Sequence, residues 1–187
     1  MNSPSASLSI VTGLSALLLV SLLLVSPTAA QEALRAPTWN HPSASAGLRL
    51  GTADLNLGFG LRGGFTLAPG IYIGALGDYF FGNSTTTGAT EHSMSAWLLM
   101  VEVGYDVGLV DGALLVRPTV NLGAVGNEHE SCTGSVCSDR GYTRMRGGIG
   151  GQVSYFFSPH LAAGSELRLL FTGSTVAILG ANLSGVL

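Results

Sequence analysis

Nine charged residues sit inside otherwise apolar or glycine-rich runs of this sequence: Arg62, Asp78, Glu102, Asp106, Arg117, Arg144, Arg146, Glu166 and Arg168. Carboxylates in such company can do two kinds of chemistry. Two acids whose surroundings push their proton affinities apart can serve as general acid and base, whereas acids interspersed with arginines can neutralise one another through charge-assisted hydrogen bonds. The composition of the set favours the second, because acids and arginines are nearly matched. His41, His92, His129 and His160 all fall in turn or loop sequence. Nothing places a serine next to one of them, so an acyl-transfer site of the serine and histidine kind is not expected.

Two other groups could carry chemistry. Cys132 and Cys137 lie in S-C-T-G-S-V-C-S, where a disulfide would brace a short loop in an oxidising compartment. A metal pair is the rival reading, but the gap is not a common zinc spacing and no second pair exists. Glu128, His129, Glu130 and Asp139 flank the cysteines and could offer donors to a divalent ion. A solvated acidic loop is the simpler reading, and neither a metal nor a cofactor is expected.

The elements that must position these residues follow from period. In S-A-W-L-L-M-V-E-V-G-Y-D-V-G-L, Trp97, Leu99, Val101, Val103, Tyr105, Val107 and Leu109 share one parity, while Glu102, Gly104, Asp106 and Gly108 share the other. The same sorting holds in segment after segment. Leu57, Phe59, Leu61 and Phe65 oppose Arg62; Ile71, Ile73 and Tyr79 oppose Asp78; Val116, Val120 and Leu122 oppose Arg117. Met145, Ile149 and Val153 oppose Arg144 and Arg146; Leu161, Leu167 and Leu169 oppose Glu166 and Arg168. One face therefore collects every charge, and it is padded with glycine.

In a soluble barrel the charged face would meet water among other polar residues. Here the padding suggests the reverse arrangement, with lipid outside and a lumen lined by an ion-pair network. A charge on the lipid face near the midplane costs about 2–4 kcal/mol, which explains why that face has none. Composition agrees: 187 residues are 47% hydrophobic and 10% charged, with 27 glycines and no lysine, against roughly 25% charged in a soluble domain. Eight basic residues, a net charge of -3 and no basic cluster give no footprint for nucleic acid.

Strands are expected near 43–52, 55–67, 71–82, 93–109, 113–127, 141–157, 161–172 and 176–187. The connections at Ala68-Pro69-Gly70, Val110-Asp111-Gly112 and Ser158-Pro159-His160 are tight, and those at 82–93 and 126–141 are long and polar. Short periplasmic turns alternating with long outer loops are the habit of outer-membrane barrels. Thr52-Ala53-Asp54 would be a short outer loop. Tyr79, Phe80 and Phe81 at one end, with Phe65, Tyr155, Phe156 and Phe157 at the other, read as interfacial girdles.

Leu8 to Val25 is an uncharged apolar run followed by Ser26-Pro27-Thr28-Ala29-Ala30, the pattern of a signal peptide cleaved after Ala30. Its first seven residues carry no Lys or Arg, so an uncleaved anchor is the rival. The expected organisation is a signal peptide at 1–30, a periplasmic lead at 31–42 and a barrel at 43–187.

With G-F-G-L-R-G-G-F-T-L-A-P-G-I-Y-I-G-A-L-G-D-Y-F-F-G, V-E-V-G-Y-D-V-G-L and V-R-P-T-V-N-L-G-A in view, the chain resembles the small eight-stranded outer-membrane β-barrels of the OmpA/OmpX-like superfamily over about residues 43–187. Such barrels usually end in an aromatic residue, where this sequence has Leu187. The resemblance implies an all-β, antiparallel up-and-down transmembrane barrel in the outer membrane of a Gram-negative bacterium, with lipid as its surroundings. The expected role is structural or surface-interacting, as a monomer that displays 82–93 and 126–141 to a ligand. A narrow channel, a soluble exported ligand-binding barrel and a lipid-modifying barrel enzyme are the alternatives.

Overall fold

The computed structural model describes residues 40–52, 55–88, 90–133, 136–171 and 175–186. They form one antiparallel sheet of nine strand segments: β1 (His41–Gly51), β2 (Asn56–Leu67), β3 (Ile71–Thr87), β4 (Thr90–Tyr105), β5 (Val107–Leu109), β6 (Leu114–Thr133), β7 (Val136–Ser158), β8 (Leu161–Phe171) and β9 (Thr175–Val186). A single 3-10 turn, Val110–Gly112, joins β5 to β6. Sequence neighbours other than β4 and β5 pair in space, β1 pairs with β9, and β4 pairs with β6. The sheet is thus closed. Because β5 resumes the line of β4 after Asp106 against the same β6, nine segments make eight staves. Closure matters because an open strand edge in hydrocarbon would leave backbone N–H and C=O groups with no water to bond.

The alternation seen in the sequence decides which way each stave faces. Leu61 is 59% exposed, Leu99 61% and Val120 63%, while Arg49, Glu102 and Arg168 are at most 1% exposed. Apolar residues outside and charges inside is the reverse of a soluble ligand-binding barrel, so that alternative is overturned. Phe59, Tyr79 and Phe81 form an outward aromatic cluster with centroids 5.8–6.0 Å apart. Phe80 and Phe156, expected in the girdles, instead point inward and are buried, as their parity demands.

Two expectations about connections are corrected. The segments 82–93 and 126–141 are not loops. β3 runs on to Thr87 and β4 starts at Thr90, while β6 runs to Thr133 and β7 starts at Val136. Polarity concealed these strands, yet threonine is a good strand former because its branched Cβ suits the pleat. The strand expected over 93–109 is interrupted at Asp106. The signal peptide and most of the lead, residues 1–39, lie outside the described residues, as do Ala53, Asp54 and Leu187. His41 and Pro42, assigned to the lead, belong to β1.

Pairing of β2 with β3 stops at Gly58↔Phe80, and pairing of β7 with β8 begins at Gly147↔Phe171. Past those points β3, β4, β6 and β7 continue as a four-stranded polar arm. At its root the ladder steps from Phe80↔Ala96 to Asn83↔Met94, a β-bulge. Gly82 takes a φ of 71° there, a left-handed conformation that glycine adopts without a steric penalty.

Candidate functional site

The lumen is built in layers. Toward the arm, Leu55, Leu76, Phe80, Ala96, Leu98, Met100, Leu170 and Ile178 form an apolar plug. The alternation of charges and glycines in the sequence does not mark these inward residues, of which Phe80 alone was singled out and assigned to a girdle.

Against the plug lies a dense ionic layer, with Asp78 between Leu76 and Phe80 along β3. Arg49 Nε is 3.1 Å from Asp78 Oδ1 and 3.0 Å from Glu166 Oε1, and its Nη1 donates to Asn182 Oδ1 at 2.6 Å. Arg168 donates to Asp78 Oδ2 at 2.5 Å and to Glu166 Oε1 at 2.8 Å. Arg62 stands 2.7 Å from Glu102 and 2.8 Å from Glu166 and donates to Gln152 Oε1 at 2.5 Å. Backbone crowding has been removed to make room. A Cβ on Gly60 would lie 2.7 Å from Arg49 Nε, and one on Gly180 would lie 2.7 Å from Glu166 Cγ.

Nearer the short turns, Arg117 donates twice to Asp106, at 2.5 and 2.9 Å. Asp106 also accepts from the Thr66 hydroxyl at 2.8 Å. The Arg117 guanidinium lies 3.6 Å from the centroid of the Tyr72 ring, a cation–π contact. The Asp106 backbone N–H donates to the Gly70 carbonyl at 2.8 Å, and β4 gives way to β5 at that residue. Under this pair a cavity of about 370 Å³ opens among His41, Ser43, Ser45, Ser154 and Ser184.

Among the described residues the buried charges are four arginines (Arg49, Arg62, Arg117, Arg168) and four acids (Asp78, Glu102, Asp106, Glu166), which balance as a set. Arg49 was missed by the sequence reading, although Leu48-Arg49-Leu50 obeys the same parity rule. Arg144 and Arg146 belong elsewhere. Both share the inward parity, but β7 enters the closed part of the barrel only at Gly147, so Arg144 is exposed and Arg146 half-buried on the arm. Arg144 lies 4.9 Å from the Tyr142 ring. Among the described residues neither makes an ion pair.

On the arm, Cys132 and Cys137 are directly opposed cross-strand partners and form a disulfide. Glu130 reaches Cys132 Sγ, but Glu128, His129 and Asp139 do not join it in a common coordination cluster. Asn127 donates to the Tyr142 hydroxyl at 2.8 Å, and His129 stacks on the same ring at 6.3 Å between centroids. The histidines are dispersed: His41 lines the lower cavity, His92 and His129 lie on the arm, and His160 occupies the β7–β8 turn.

This geometry can be set beside known proteins. The family model described as "Outer membrane protein beta-barrel domain" matches residues 15–181. Among solved structures, the chain is similar to the attachment invasion locus protein Ail of Yersinia pestis, with 12% identity, a TM-score of 0.59, and coverage of 80% of this chain and 99% of that one. It is similar to the N-terminal barrel of Pseudomonas aeruginosa OprF, with 14% identity, a TM-score of 0.55, and coverage of 80% and 98%. A major outer membrane protein from Thermus thermophilus aligns at 11% identity with a TM-score of 0.64, covering 80% and 100%. At such identities the likeness is one of fold. No curated protein matches the sequence.

Proposed function

This chain belongs to the outer membrane protein β-barrel domain family, and from that premise we propose that it is a sealed monomeric barrel whose working part is the polar arm. Its place is the outer membrane of a Gram-negative bacterium. The reading is a structural and surface-interaction protein without enzymatic activity, with the short turns in the periplasm and the arm outside the cell.

The observation that carries this reading is the division of labour between lumen and arm. An eight-stranded barrel has an interior just wide enough for side chains to fill, and here an apolar plug and four neutralised acids occupy it together. A permeating ion would have to displace an internal salt bridge. The arm, by contrast, holds its polar side chains in water on a rigid scaffold, where binding residues are usually found.

The test is conductance of the refolded protein in planar lipid bilayers. No discrete current steps are expected, and neutralising Glu102 or Arg117 should leave the bilayer silent. Current steps whose size changes in those two variants would establish the narrow channel instead.

A further inference from the structure

We propose that the cavity at the short-turn end of the lumen binds a neutral polyhydroxyl ring of hexose size, either a free sugar or the end of a glycan chain. The site is separate from the arm and adds to the surface-interaction reading. Three features of the cavity carry the inference.

The first is a set of polar groups that the fold leaves unused. Ser45 on β1 and Ser184 on β9 are cross-strand partners, and both line the cavity. Their hydroxyl oxygens are buried, and among the described residues neither has a hydrogen-bond partner; the same holds for Nδ1 of His41, at the start of β1. Ser154 accepts from Gln152 Nε2 at 2.9 Å, which leaves its own proton to donate into the same space. A buried hydroxyl without a partner is costly, and alanine at position 45 or 184 would avoid that cost.

The second is charge balance. Apart from His41, the ionisable residues lining the cavity are Arg62, Asp106 and Arg117. Arg117 donates to both oxygens of Asp106, and Arg62 is held by Glu102 and Glu166. An ionic ligand would bring an uncompensated charge beside a balanced set. A neutral ligand would not.

The third is an apolar wall. Phe156, Ala162 and Val186 form a buried cluster with Leu115 packed against it, and all four line the cavity. Water would satisfy the hydroxyls but gain nothing from this wall. A sugar ring carries hydroxyls at its rim and C–H groups on its faces, so it meets both. The cavity volume of about 370 Å³ falls in the range of small-molecule sites, about 300–1,000 Å³.

The experiment uses the refolded full-length chain in dodecylphosphocholine micelles, whose head group holds no sugar. Saturation-transfer NMR titrations follow methyl α-glucoside, maltotriose, and two analogues of the glucoside in which the hydroxymethyl group is replaced by an aminomethyl group or by a carboxylate. The glucoside should bind saturably, and both charged analogues at least tenfold more weakly. Tighter binding of maltotriose than of the glucoside would identify a glycan end as the ligand, and weaker binding a free sugar. The double variant Ser45→Ala/Ser184→Ala should bind the glucoside about tenfold or more weakly. It should nevertheless unfold at the same or a higher urea concentration, because the lost hydroxyls had no partner in the protein. Heat-modifiable gel migration confirms that it folds. No saturable binding of the glucoside would overturn the proposal, and so would equal binding of all four sugars by parent and double variant, the mark of adventitious association. Preference for the carboxylate analogue would make the cavity an anion site instead. Easier unfolding of the double variant with undiminished glucoside binding would assign the hydroxyls to the fold and likewise overturn the proposal. The sidedness of the cavity is read separately. Both native cysteines are joined in the disulfide, so Ser43→Cys supplies the only free thiol. Labelling of that thiol on intact cells by an impermeant reagent would refute the periplasmic orientation of the short turns while leaving the binding result intact.

Discussion

Arg168 shows how a charge is held inside this protein. Its guanidinium group reaches Asp78 and Glu166 at once, and those two acids also serve Arg49. Removing one member of such a buried set leaves an uncompensated charge, a loss of about 3–5 kcal/mol, whereas replacing a pair by apolar side chains is often neutral. Arg168→Met should therefore destabilise the barrel by about that amount, and the double variant Arg168→Met/Asp78→Leu should recover part of it. Urea unfolding in detergent, followed by the loss of heat-modifiable migration, measures both. Most of this layer was legible in the sequence, because a lone charge flanked by apolar neighbours identifies its own face. What parity could not reveal is depth. Arg144 and Arg146 obey the same alternation as Arg62 but lie beyond the closed barrel, and Leu76, Leu98 and Met100 face inward without a polar atom to announce it.

For the strands, the outward face and the arm respond to different forces. Leu122 is 56% exposed on β6 and faces hydrocarbon in the membrane. Leu122→Arg should cost about 2–4 kcal/mol if the residue lies near the bilayer midplane, measured as the shift in refolding equilibrium into lipid vesicles. The arm answers to hairpin pairing. Cys132 and Cys137 close a loop of only a few residues, for which chain entropy alone suggests roughly 2 kcal/mol. The ladder from Asn127↔Tyr142 to Cys132↔Cys137 already orders the same residues. Replacing both cysteines by serine should thus leave the unfolding of the barrel unchanged and speed proteolysis at the arm tip, detected by mass spectrometry of timed digests. The arm was the least legible element. Its serines, threonines and asparagines lack the contrast between apolar and polar neighbours that identifies a strand, since both of its faces meet water.

At the scale of the whole molecule, the double filling of the lumen decides what would open it. The apolar plug around Phe80 and Met100 and the ionic layer around Arg62 and Arg168 both fill the lumen, so either alone is expected to stop a hydrated ion. Thinning the plug with Phe80→Ala and Met100→Ala leaves the ionic layer across the path. Thinning the ionic layer with Arg62→Ser and Arg168→Ser leaves the plug, which admits water poorly. Neither double variant should conduct in planar bilayers. The quadruple variant should, and its current should favour cations, because Asp78, Glu102 and Glu166 would then outnumber the one arginine left in that layer, Arg49. Conductance from the ionic-layer variant by itself would mean that the plug does not seal and that charge alone closes the barrel. Conductance from the plug variant by itself would assign the seal to the apolar residues and leave the ion pairs a purely structural role.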